Sequence, residues 1–315
     1  MASYLTVTST TRKYLEALPV FDEAYLEINA LRARPELKSP AVFPVVNVET
    51  MSVPGTPDLS VDVYRPSDSK DRVLPALIYI HGGGWALHSN KDAYRFLCSK
   101  IADTVKCAVF YVHYTLSPEA QFPIAVEECY SVFSWVTGLE HCGTLKIDPT
   151  RVAIGGDSAG GNLAIAVTLL DKERNEKRKL VYQVLFYPVT DAVFNTGSYY
   201  EFGKDFGLVR RMMEYFWDLY VPDKTDRQNI LACPLKATLD ELKDLPPALI
   251  ITAEADILRD EAEIFARKLI QAGVPVTSTR VLGVLHGFMT NSLLYSEETL
   301  SSLDMAMGAL CRCFA

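Results

Sequence analysis

Gly155, Gly156, Asp157, Ser158, Ala159 and Gly160 separate a short apolar run, Arg151–Ile154, from a helix-forming run, Asn162–Val167. A G-x-S-x-G sequence flanked in this way fits a sharp strand-to-helix turn that lifts the serine oxygen clear of a sheet edge. Glycines at 156 and 160 permit such a turn without Cβ clashes. A serine at a helix start can also be only an N-cap. The strand-like run before it and the helical run after it favour a nucleophile, Ser158.

The rest of the chain is patterned to build the sheet that such a turn needs. Runs of β character recur at 45–51, 59–65, 74–80, 107–113, 152–155, 180–187, 248–252 and 276–281, with helical patterns at 91–105, 125–139, 159–177, 260–272 and 297–313. Alternation of this kind predicts an α/β fold: a mostly parallel, eight-stranded sheet with helices on both faces. The short connection Pro54–Asp58 suits an antiparallel hairpin between the first two strands rather than a crossover. Residues 45–191 and 234–315 are assigned to one catalytic domain. Two segments stand outside the alternation. Residues 1–44 are helical in pattern, at 12–17 and 22–33. Residues 192–233 concentrate aromatics and methionines, which suits an adaptable apolar lid as well as core packing. Phe206, Leu208, Met212 and Phe216 in that segment, with Trp85 and Phe288 beside the polar motifs, are candidate substrate-pocket residues.

Acyl transfer at a serine needs a base, a group to orient it, and donors for the oxyanion. Of the five histidines, only His286 follows Ser158. It comes just after the 276–281 run, on a loop at the carboxyl end of the sheet. A histidine base predicts a rate that falls as acid protonates the ring. The acid is expected on a loop after a late strand, which selects Asp256. Glu254 and Asp260 are rivals: Asp260 reads as the cap of the next helix and Glu254 as a supporting residue. His81, Gly82, Gly83, Gly84 and Trp85 follow the 74–80 run. Glycine lets backbone N–H groups approach a substrate closely, so the amides of Gly83, Gly84 and Ala159 are assigned to an oxyanion hole, with His81 and Asp157 as supporting residues. The glycine run lacks the Lys-Ser/Thr of a phosphate loop and the spacing of a dinucleotide fingerprint.

Taken together, His81–Trp85, Gly156–Asn162, Glu254–Asp260 and His286–Phe288 resemble the hormone-sensitive-lipase family of α/β-hydrolases, which includes bacterial family IV esterases, arylacetamide deacetylases and fungal esterases. The resemblance spans roughly residues 75–290. It implies hydrolysis of short-to-medium carboxylic esters by a Ser-His-Asp triad with no metal or cofactor. It also implies a helical cap built from residues 1–44 and 192–233. One departure concerns a loop motif: where the family often carries Asp-Tyr-Arg-Leu-Ala-Pro-Glu, this chain reads His113, Tyr114, Thr115, Leu116, Ser117, Pro118, Glu119. Altered bracing around the site is the expected result. Ile257 stands where a proline is common after the acid. Plant hormone receptors of the family lack the histidine that is retained here as His286, which argues against a silent receptor. An amidase, a lactonase or an acyltransferase would use the same residues.

Charge and cysteine usage narrow the partners. With 31 Lys and Arg against 39 Asp and Glu, the net charge is −8 and no basic stripe occurs, which argues against nucleic acid and anionic membrane surfaces. No secretory signal or membrane-length apolar run is read, so no stable membrane insertion is expected. Seven scattered cysteines, an odd number, suit reduced core thiols in a cytoplasmic protein. The single close pair, Cys311 and Cys313, has no histidine near it to complete a zinc site. Apolar residues Leu303, Met305, Met307, Leu310 and Phe314 serve either core packing or a homodimer seam.

Overall fold

The computed structural model describes residues 5–19, 21–23, 26–33, 42–69, 72–89, 91–175 and 179–315. Its strands are β1 (Val46–Ser52), β2 (Ser60–Pro66), β3 (Leu74–Ile80), β4 (Ala108–His113), β5 (Ile147–Asp157), β6 (Leu180–Phe186), β7 (Ala248–Ala255) and β8 (Val276–Leu285). They form one eight-stranded sheet in the order β1-β2-β4-β3-β5-β6-β7-β8. The pairs β1–β2 and β2–β4 are antiparallel and all others are parallel. The first two strands make the expected hairpin, closed by Val53 N–H donating to the Leu59 carbonyl.

The helices are α1 (Ser9–Ala17), α2 (Ile28–Arg32), α3 (Lys91–Val105), α4 (Ile124–Thr137), α5 (Leu139–Leu145), α6 (Ala159–Arg174), α7 (Gly197–Phe202), α8 (Arg210–Tyr220), α9 (Leu239–Leu242), α10 (Arg259–Gln271) and α11 (Glu297–Phe314). α3 packs with α11 and α4 packs with α6. Every residue of β3 is buried, as a parallel strand covered on both faces must be, whereas edge strand β1 is mostly exposed. α6 is buried from Ala159 through Asp171. Its small first turn lets it lie close against the sheet directly after Ser158.

Several boundaries moved. The expected helix at 22–33 contracts to α2, capped by the Glu27 carboxylate, which accepts from Asn29 N–H and Ala30 N–H. Residues 24 and 25 lie outside the described residues, as do 176–178 at the end of the helix expected over 159–177. β5 begins five residues before the expected start because Ile147 pairs with Leu74 across a β-bulge. In α11, Leu303, Met307, Leu310 and Phe314 are buried in the core, and Met305 is exposed. All seven cysteines are free; Cys98, Cys107, Cys129 and Cys233 are buried. Among the described residues, no helix is long and apolar enough to cross a membrane.

Candidate active site

The turn after β5 places Ser158 at φ 54° and ψ −121°, a conformation that costs a non-glycine residue energy. It is held by its own backbone. Ser158 N–H donates to the Phe186 carbonyl at 2.9 Å, and its carbonyl accepts from Asn162 N–H at 3.1 Å and Val189 N–H at 3.2 Å. Gly160 is required here: a Cβ at that position would collide with the carbonyl oxygens of Ile80 and His81. The result is a nearly buried serine at the positive end of a sixteen-residue helix.

His286 follows β8 directly, and Asp256 follows β7. His286 Nε2 lies 2.9 Å from Ser158 Oγ, and His286 Nδ1 lies 2.7 Å from Asp256 Oδ2. Leu258 N–H donates to the other Asp256 oxygen at 2.9 Å. This chain of contacts fits a neutral imidazole whose Nδ1–H donates to Asp256 and whose Nε2 accepts from the serine hydroxyl. The rival carboxylates are employed elsewhere. Glu254 Oε2 accepts from Gly283 N–H at 2.7 Å, tying β7 to β8. Asp260 lies inside the first turn of α10 rather than at its cap, and accepts from Ser198 N–H at 2.7 Å and Arg259 Nε at 2.8 Å.

Gly83 and Gly84 adopt φ of 106° and 59° in the loop after β3. No acceptor among the described residues takes the amide N–H of Gly83, Gly84 or Ala159. A Cβ on Gly84 would strike the Phe216 ring, so this loop and α8 are in tight apposition. His81 Nδ1 lies 2.7 Å from the Gly82 carbonyl, and its ring stacks on Tyr114 with centroids 4.4 Å apart. Burial pushes its imidazole down to about 4, so it stays neutral. Asp157 lies in a buried polar cluster. Tyr94 Oη donates to it at 2.8 Å, Tyr79 Oη at 3.1 Å and Gly82 N–H at 3.2 Å. Burial pushes its carboxyl up to about 6, against the pull of those donors.

Gly83, Gly84, Ser158 and His286 line one cavity of about 1270 Å³, whose walls also include Leu208, Met212, Met213, Phe216, Tyr14 and Leu31. Three expected pocket residues do not line it. Trp85 is buried at φ 58° and stacks on Tyr220, with centroids 4.4 Å apart. Phe206 packs against Phe202 and lines a separate cavity of about 370 Å³ beside Leu15. Phe288 is buried against Tyr187. All three aromatic side chains are buried away from the cavity that Ser158 lines. Sequence reasoning also missed Tyr79, Tyr94 and Arg32; nothing in their local sequence marks them, since their partners lie more than fifty residues away except for Tyr94 and Gly82.

Residues 77–290 match the α/β-hydrolase fold family. An arylesterase of Saccharolobus solfataricus is 34% identical over 256 residues, covering 80% of this chain and 78% of the relative. Carboxylesterase NlhH of Mycobacterium tuberculosis is 34% identical over 286 residues, covering 89% and 88%. Among solved structures, a fungal esterase from Rhizomucor miehei superposes with a TM-score of 0.90 at 37% identity, covering 98% of this chain and 97% of its own.

Proposed function

This chain belongs to the α/β-hydrolase family matched over residues 77–290, and from that premise we propose that Ser158, His286 and Asp256 are the nucleophile, base and orienting acid with which it hydrolyses carboxylic esters. The observation that carries the assignment is the unbroken contact chain from Ser158 Oγ through both ring nitrogens of His286 to Asp256.

Ser158 Oγ attacks the ester carbonyl carbon while His286 Nε2 takes its proton. The carbonyl oxygen becomes an oxyanion and is held by the amides of Gly83, Gly84 and Ala159, which act most strongly on charge that develops in the transition state. The imidazolium is stabilised by Asp256, itself fixed by Leu258 N–H. The C–O bond to the alcohol then breaks, and His286 passes the proton to the leaving oxygen. Water, deprotonated by the same nitrogen, releases the acid from the acyl-serine. The residues of 1–44 and 192–233 that wall the cavity act as its cap, and the apolar side chains of Leu208, Met212 and Phe216 suit a short-to-medium acyl chain. Four buried free thiols fit a reducing, cytoplasmic setting.

The test is release of p-nitrophenol from acetate, butyrate, octanoate and palmitate esters, with Ser158→Ala alongside. Rapid release that peaks at acetate to octanoate and vanishes in the variant is the expected result. Absence of release at every length, with Ser158 unlabelled by a serine-directed phosphonate, would overturn the assignment.

A further inference from the structure

Arg32 ends α2, yet its guanidinium engages two loops remote from it in sequence. Nε donates to the Ala86 carbonyl at 2.8 Å, and Nη2 donates to the Ser117 carbonyl at 2.8 Å. Both terminal nitrogens grip the Glu119 carboxylate, at 2.7 and 2.8 Å. One planar fork thus satisfies three separate acceptor groups. Its side chain is only 14% exposed. The arginine holds the Glu119 carboxyl at about 2, so the pair stays ionised at working pH.

The acceptor that matters is Ala86. The N–H groups of Ala86 and Leu87 both donate to the Gly83 carbonyl, at 3.2 and 2.9 Å, which makes Gly83–Leu87 one closed turn. Ser117 N–H donates to the Trp85 carbonyl at 2.8 Å, joining the same turn to the second loop. Before the turn, Gly82 N–H is anchored by Tyr94 and Asp157. Within it, the Trp85 carbonyl is held by the Ser117 strut and the Ala86 carbonyl by the Arg32 fork. Thr115, on the second loop, supplies no equivalent: its N–H and Oγ1 are both committed to Glu128 at 2.7 Å.

We propose that Arg32 is a positioning residue for ester hydrolysis, fixing the Ala86 carbonyl and so holding the Gly83 and Gly84 amides where the oxyanion forms. The inference rests on the ester-hydrolase reading above. Arg32 touches no reacting atom in this role; it acts through the turn. Lysine cannot replace it, because a single ammonium cannot reproduce the guanidinium fork that reaches three acceptors.

Arg32→Ala and Arg32→Lys are compared with the wild type on p-nitrophenyl butyrate, and for affinity toward an aryl trifluoromethyl ketone, whose adduct with Ser158 carries an oxyanion. A misplaced oxyanion loop costs rate: kcat should fall about 10- to 100-fold in the alanine variant. KM should stay within about threefold, because a misplaced oxyanion donor weakens binding of the transition state more than that of the substrate. Ketone affinity should fall in step with kcat/KM, and added guanidinium ion should restore part of kcat in Arg32→Ala. A role in stability alone would move the thermal midpoint and leave these readouts in place. If the alanine variant does not fold, the lysine variant, which keeps stem and charge, carries the same test with a smaller deficit. Folded variants with kcat within about twofold of the wild type, or a rise in KM alone, would overturn the proposal while Ser158→Ala still abolishes activity. An inactive wild type would overturn the esterase reading and this inference with it.

Discussion

Thr290 Oγ1 donates to Asp157 Oδ2 across 3.3 Å, so the residue before Ser158 and the loop that carries His286 share one buried acceptor. This joins two elements of the site that are distant in sequence. It also gives Asp157 a measurable signature. Its carboxyl is pushed from 3.8 up to about 6 in the folded protein. A raised carboxyl binds its proton more tightly folded than unfolded, so its stabilising contribution is complete below 3.8 and lost as pH rises through about 6. Relative to Asp157→Asn, the wild type should therefore lose on the order of 3 kcal/mol of unfolding free energy across that window. Urea unfolding of both proteins at a series of pH values checks this, and parallel curves would contradict it.

On the proposed roles of Ser158 and His286, removal of one side chain and removal of the other should not add. Ser158→Ala and His286→Ala should each lower kcat by at least about 10⁴-fold, and the double variant should be little worse than either. Single-turnover kinetics on p-nitrophenyl acetate separate this outcome from independent contributions.

The acid assignment is tested by three carboxylates side by side. Asp256→Asn keeps the shape but loses the acceptor that fixes the His286 tautomer, and kcat should fall about 10⁴-fold. Asp260→Asn disturbs the link between α7 and α10 and the contact with Arg259, and should leave kcat within about threefold. Glu254→Gln weakens the tie to Gly283 and should cost stability before it costs rate. Steady-state kinetics and thermal midpoints on the same samples report both quantities.

Phe216 should act on acyl length. Its ring lies 2.5 Å from where a Cβ on Gly84 would be, at the wall of the cavity, and it is nearly fully buried. Phe216→Ala should move the preferred ester toward longer chains, read as the ratio of kcat/KM for octanoate to that for butyrate. The same change empties a packed site and should destabilise the protein by about 3–5 kcal/mol.

The sheet and the candidate site were legible because periodic burial and backbone strain leave local marks. β3 and α3 fall on the expected residues, since a fully apolar strand and a long amphipathic helix each carry their own signal. Ser158 and Gly160 were legible because one turn admits few sequences. His286 emerged from chain order. Trp85, Phe206 and Phe288 were misjudged because an aromatic side chain suits a pocket wall and a core equally well, and rotamer and backbone angle decide between them. Trp85 shows this directly: its positive φ turns the ring onto Tyr220 and away from the cavity. Arg32 carried no mark at all, because its meaning resides in carbonyls 54 and 85 positions away.

The backbone of Ser158 has a consequence for selection. At φ 54° and ψ −121° the position suits glycine better than serine. The Ser158→Gly protein should therefore unfold at a higher temperature than the active one, by roughly 1–2 kcal/mol in free energy. A screen of this chain for heat resistance alone would drift toward inert sequences at position 158. Any programme that seeks a hardier enzyme must score turnover in the same round.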